Sequence, residues 1–385
     1  MYDSDQESTS LLPRKGAIGV PKDRLKIVYA IFYLLGIGTL LPWNFFINGK
    51  HYFMYKLRNI TLPKNFTEYI KPEYETDFQV SFESYLAVAA MLPNVLFMFL
   101  NTVATRLIRL KIRIIIAVCT MILIFASTIV FALLNTDMWQ VEFFAITLVC
   151  IVIMNAASAV LQGGVFGLAS MFPPRYSQSV MAGQGFGGTM AAIANIISIA
   201  ATKDALQSGL FYFSIALIVL ILAFLAYLIL PCLKFARYHT DKKSLRTSTF
   251  NGIDETNDND TKSNVAFTKT TGAPLWRVYR MPKFGSNWLP FLSVSRIIFI
   301  PLFIFCNFQP RQHLNVYFDN DIAPAVIMVL FAFTNGYLST LCMMYGPMNA
   351  QEEDEETAGA LMSFFLALGL TAGSFFSFLL SKYLI

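Results

Sequence analysis

The chain has 385 residues, 56% of them hydrophobic and 14% charged, with a mean hydropathy of +0.55 and a net charge of +5. Soluble domains carry about 25% charged residues, so this composition excludes an ordinary soluble fold, and so small a net charge points away from nucleic acid as a partner. The apolar residues fall in blocks of about 20, the length a helix needs to cross the hydrocarbon of a bilayer. Lipid offers no partner for a bare peptide group, so each block must be a helix.

In chain order, residues 1–24 form a polar tail. It contains Glu7-Ser8-Thr9-Ser10-Leu11-Leu12. An acidic residue ahead of a dileucine resembles a sorting signal read by clathrin adaptors. The first span is Leu25–Ile47, too long and apolar for a cleaved leader. A polar loop over 48–80 follows, with N-glycosylation sequons at Asn59 and Asn65. Further spans are expected at 82–105, 112–134, 141–170, 179–201 and 209–233. Residues 234–285 open with Lys234, Arg237, Lys242, Lys243 and Arg246 and continue rich in Asp, Asn and Thr, so they are expected to be a disordered loop. Spans at 288–308, 322–345 and 357–383 close the chain. This gives a polar tail (1–24), a six-helix lobe (25–233), a loop (234–285) and a three-helix lobe (286–385), with nine spans in all.

Basic residues near span ends mark the cytoplasmic side. Arg14, Lys15, Lys22 and Arg24, then Arg106, Arg109, Lys111 and Arg113, then the basic start of the central loop all fall on one side. That side is expected to be cytoplasmic, together with the amino terminus. The sequons fall on the other side, luminal or extracellular. Six spans and a long central loop suit a two-lobed transporter.

Polar residues inside spans mark function, because lipid penalises them. The first span holds Pro42, Trp43 and Asn44. Proline bends the helix, leaving Asn44 near the bend; a kinked helix with an interfacial tryptophan is the plain alternative. The fourth holds Asn155, Ser158 and Gln162 on one face. Gln162 offers a donor and an acceptor, which suits a nucleobase edge; packing between helices is the plain alternative. Gly183-Gln184-Gly185-Phe186-Gly187-Gly188 superficially resembles a phosphate loop, but small residues here suit close helix approach, with Gln184 a candidate cavity-liner. Arg296 lies two turns inside its span. It either snorkels or pairs with Glu356 of the acidic 352–356 run, as a gate that forms in one transport state. Cys119, Cys150, Cys232, Cys306 and Cys342 lack metal-like spacing, and no catalytic set or metal cluster is evident.

Gly36-Ile37-Gly38-Thr39-Leu40-Leu41-Pro42-Trp43-Asn44-Phe45-Phe46 resembles the first-helix signature of the equilibrative nucleoside transporters. The segments Leu161–Ala169, Met181–Gly185, Arg296–Leu302, Phe331–Leu338 and Glu356–Leu370 resemble the family's fourth, fifth, ninth, tenth and last helices, in the right order. The resemblance implies an all-α, major-facilitator-like membrane bundle and passive carriage of nucleosides such as adenosine and uridine, or of nucleobases, with no enzyme activity and no cofactor. It places Leu40, Trp43, Asn44, Met91, Asn94, Gln162 and Leu370 around the substrate, with Ser158 at an inhibitor-sensitive position. Gln184 and Asn335 are further candidate pore-liners. The family has eleven helices; between Pro274 and Trp288 the pattern of the seventh and eighth is absent, together with a pore-lining Phe-Asp-x-x-x-Arg-like motif. The dileucine tail resembles that of lysosomal and late-endosomal members, with the plasma membrane as the alternative location. Proton coupling, a same-fold carrier of another solute such as a sugar, and a truncated form that associates with the complete carrier stay open.

Overall fold

The computed structural model describes residues 21–61, 74–201, 205–240, 288–306, 317–318, 320, 322–351 and 354–383. The tail residues Glu7, Leu11 and Leu12, the sequon at Asn65 and most of the central loop lie outside the described residues. Among the described residues there is no strand, and eight helices are long and apolar enough to cross a membrane. The protein is an all-α membrane bundle.

Helix α1 (Ile27–Asn48) leads into a short α2 (Lys50–Lys56), followed by α3 (Asp77–Ala104), α4 (Leu110–Leu133), α5 (Gln140–Ser170), α6 (Arg175–Ala201) and α7 (Ala205–Ile229). These are the six expected spans, with boundaries shifted by a few residues. The helices alternate in direction. We call the end where α1 begins the N side and the other end the sequon side. Asp23 starts the bundle, accepting from the amides of Val28 (3.2 Å) and Tyr29 (3.3 Å), which satisfies orphan donors at the helix start. At the sequon side Thr76 and Gln79 close a reciprocal capping box on α3.

The lobe is held by close approach and aromatic packing. Helices α1 and α6 form its most extensive contact. Gly36 faces the Val180 backbone and Gly183 faces that of Tyr33, and a Cβ at either position would collide with a carbonyl oxygen. The glycine-rich run of α6 therefore serves helix contact, as its composition predicts. Phe45, Phe46, Phe53, Phe125, Tyr212 and Phe213 fill the core toward the sequon side.

Two features differ from expectation. Residues 234–240 are helical rather than unstructured. Phe235 packs on Phe172 and Tyr176, and His239 packs on Phe172; burying these rings offsets the ordering entropy that composition alone counts against the segment. The expected span at 288–308 is shorter and broken. It comprises α8 (Trp288–Ser295), a tight turn at Arg296–Ile298 and α9 (Phe299–Ile304). Pro301 has no N–H for the carbonyl of Ile297, which accounts for the break. The chain ends with α10 (Ile322–Tyr345) and α11 (Glu355–Tyr383). Helix α10 lies on α6, and α11 lies on α5 and α3.

Candidate functional site

The polar centre sits near the midpoints of α1, α5 and α6. Thr39 is fully buried, three residues before the proline inside α1. Its hydroxyl donates to the carbonyl of Gly36 (2.8 Å) and accepts from Nε2 of Gln184 on α6 (2.9 Å). Its carbonyl accepts from Oγ of Ser158 on α5 (2.6 Å). One residue thus joins two predicted pore residues from two different helices. Thr39 stands in the first-helix motif without a role of its own in the sequence; the signal it carries is a hydroxyl within one turn of an intramembrane proline.

Asn155, Ser158 and Gln162 are all buried, so the polar stripe of α5 faces protein and not lipid. Asn155 donates to the carbonyl of Ile151 in its own helix (2.9 Å). Beyond Thr39, Leu40, Trp43 and Asn44 are half-buried. Asn44 donates to the carbonyl of Leu40 (3.0 Å) and lies over Gly188 of α6. The carbonyl of Asn44 accepts from Asn48 Nδ2 (2.7 Å) and from the Tyr212 hydroxyl (3.4 Å). On α3, Met91 and Asn94 are half-buried, and Met91 Sδ receives the hydroxyl of Thr371 on α11 (3.9 Å). Leu370, next to Thr371, is 57% exposed. The structure thus joins Thr39, Ser158 and Gln184 directly, and sets Asn44 against α6 and Met91 against α11.

Asn335 does not join this group. It is exposed on α10, where Oδ1 accepts from Nη2 of Arg296 (2.6 Å), and the Arg296 guanidinium also lies 5.1 Å from the Phe331 ring. The expected Arg296–Glu356 pair is not formed in this structure. Glu356 is instead bound by Arg113 of α4, a buried guanidinium. Packing decides the choice: α11 lies against α5 and α3, beside Arg113, whereas Arg296 faces α10. In the sequence Arg113 stands out only as one of the charges that orient the chain. Its place inside an apolar run was the missed signal.

The Arg113–Glu356 pair belongs to a closed seam on the N side. Thr105 and Thr357 meet at 3.2 Å, Ser170 donates to the carbonyl of Glu355 (2.5 Å), and Thr102 donates to that of Ala360 (3.5 Å). Gly359 lies on the Phe166 backbone, where a Cβ would stand 2.8 Å from its carbonyl carbon. Glu352 and Glu353 lie outside the described residues. At the sequon side Asn59 is half-buried and its Oδ1 accepts from the amide (3.0 Å) and hydroxyl (2.8 Å) of Thr61. No group of metal-ligating side chains occurs among the described residues.

A polar centre midway along membrane-length helices is where a carrier holds its solute. Comparison with known proteins agrees. The family described as "Nucleoside transporter" matches residues 148–276 and 270–382. The chain is 32% identical to equilibrative nucleoside transporter 1 of Homo sapiens, covering 93% of this chain and 98% of that protein. It is 32% identical to equilibrative nucleoside transporter 3 of Rattus norvegicus (94% and 90% covered) and 31% identical to equilibrative nucleoside transporter 2 of Homo sapiens (93% and 98% covered). The first of these alignments runs over 454 positions against 385 residues here, so that relative carries internal segments this chain lacks. With that match over nearly its whole length, the chain belongs to the equilibrative nucleoside transporter family.

Proposed function

We propose that this chain is a facilitative carrier that moves nucleosides, adenosine and uridine among them, across a membrane by alternating access. The observation that carries this reading is the Thr39 centre. Thr39, Ser158 and Gln184 are tied together at mid-depth, with the amides of Asn44 and Gln162 on the same helices. Polar groups at that depth are rare, pair with one another or with backbone carbonyls as these do, and mark the path of a solute. A nucleoside supplies what they need: base edges for the amides of Gln162 and Asn44, and a flat face for Trp43. Leu40, Met91, Asn94 and Leu370 would supply apolar and polar walls. No covalent chemistry is involved; the lobes rock, and the Arg113–Glu356 seam opens and closes the N side.

In this reading the N side is cytoplasmic. Glu7, Leu11 and Leu12 direct the protein, through clathrin adaptors, to late endosomes or lysosomes, with the plasma membrane as the destination when they are lost. Asn59 and Asn65 carry glycans on the luminal side. A luminal proton gradient would favour export, and uptake measured at two pH values tests that coupling.

The decisive experiment uses this chain in proteoliposomes with labelled adenosine, uridine and glucose. Saturable uptake of the nucleosides, competed by unlabelled nucleoside and not by glucose, is expected. Glucose uptake without nucleoside uptake, or no uptake of any of the three, would overturn the reading. Mutation of Leu11 and Leu12 to alanine is expected to move the protein to the cell surface.

A further inference from the structure

The closed seam contains a residue that the pairing of charges does not require. Arg113 has three partners from two origins. Nη2 binds Glu356 of α11. Nη1 donates to Oδ1 of Asn101 on α3 (2.7 Å) and contacts the Asn101 carbonyl (3.4 Å), and Nε donates to the carbonyl of Ile108 (3.2 Å). Asn101 and Ile108 are in the same lobe as Arg113 and travel with it. Glu356 alone comes from the segment that must move when the N side opens.

Asn101 is buried, and its two ends are in different conditions. Oδ1 is used by Arg113. Nδ2 has no acceptor among the described residues and points at Gly163 of α5, where the space left by the missing Cβ receives it. A buried amide N–H without a partner disfavours the state that buries it. The closed seam therefore contains a group that water would satisfy on opening, next to an ion pair that favours closure.

We propose that Asn101 is the positioning residue of the N-side gate: its carbonyl oxygen holds the Arg113 guanidinium in place when Glu356 departs, without neutralising it. An amide accepts a hydrogen bond but carries no charge. Arg113 thus stays aimed and stays cationic, so Glu356 is drawn back. A carboxylate in the same place would satisfy Arg113 inside its own lobe and remove the attraction that closes the seam. The orphan Nδ2 keeps the two states near balance, as a carrier that must visit both requires. This inference rests on the carrier reading above.

The test places spin labels at Lys111 and Gln351, both exposed and on opposite sides of the seam, in a cysteine-depleted full-length chain in lipid nanodiscs. The distance distribution reads the ratio of open to closed gate. Glu356→Gln is expected to populate the longer distance. Asn101→Asp is expected to do the same, raising the open-to-closed ratio roughly fivefold or more, the usual size of such couplings. The double variant should open no further than either single one, because both remove the same attraction. Asn101→Ser, which cannot reach Arg113 and also lacks the orphan amide, provides a second variant if Asn101→Asp does not fold; it should broaden the distribution, because Arg113 is no longer held in place. If Glu356→Gln opens the gate while both Asn101 variants match the parent, the role of Asn101 is overturned and the gate stands. If Glu356→Gln also matches the parent, the seam is not a gate, and both readings fall.

Discussion

The six-helix lobe and the two long C-terminal helices are both apolar enough to cross a membrane, yet they pack differently. The six lobe helices bury between 28% and 56% of their most apolar stretches, α1 and α5 the most; α10 and α11 bury 11% and 22%. The lobe has one contiguous core of interlocked aromatic rings. The C-terminal helices have no comparable core among the described residues; α11 leans on α5 and α3, and α10 leans on α6. The difference teaches that apolarity places a helix in the membrane but does not supply partners. Partners come from small residues and polar contacts that let backbones approach.

This contrast sets the order of the expected effects. The largest is at the seam that fastens α11 to the lobe. Gly359→Leu would drive a side chain into the Phe166 backbone and Ser170. It should destabilise the protein by about 3 kcal/mol, the upper range for overpacking, with loss of transport. Gly336→Ala on α10, which has nothing within 4 Å, should be neutral or stabilising by up to about 1 kcal/mol. Thermal melting in one detergent compares the two, and equal losses would abolish the contrast.

Next comes the centre of the lobe. Thr39→Val removes the acceptor for Gln184 and leaves its amide buried, at a cost of about 2 kcal/mol. Transport should fall with it, and Thr39→Ser should restore both. If valine is tolerated as well as serine, the Thr39 centre does not position the site.

A smaller effect is expected at Arg296. Its contacts are Asn335 and the Phe331 ring, both on α10. Arg296→Gln should cost about 1 kcal/mol. A loss as large as that of Gly359→Leu would show that the C-terminal helices hold together through this pair rather than through the lobe.

The smallest effect concerns Lys56, outside the spans. Its buried ammonium donates to the carbonyls of Phe131 (3.1 Å) and Leu134 (2.6 Å), at the end of α4. Burial lowers its pKa to about 8, partly opposed by Asp137. The folded chain then releases this proton before the unfolded chain does. Its contribution to stability is constant below about pH 8 and rises with pH from there toward the unfolded value of 10.5. Lys56→Arg, which stays charged, should lose that rise when melting is compared at about pH 7.5 and about pH 9.5.

Much of the fold was legible in advance. Every long apolar block became a helix within a few residues of its expected limits, because an uninterrupted apolar run in lipid has no other way to satisfy its backbone. The stripe of Asn155, Ser158 and Gln162 was legible for the same reason: helical spacing puts the three on one face, and lipid rejects that face. The exceptions have local causes. Pro301 shortened a span, and the rings of Phe235 and His239 ordered a segment whose overall composition is polar.

The sequence by itself determined where the helices run and which residues could not face lipid. Periodicity and the cost of bare polar groups in hydrocarbon decide both, one helix at a time. Only the tertiary structure decided that Glu356 meets Arg113 and not Arg296, and that Thr39 is where Ser158 and Gln184 converge. A carboxylate has no preference between two guanidiniums on chemistry alone. The choice falls to the backbones that approach closely enough to bring one of them within reach, and here glycines far apart in the chain set that approach.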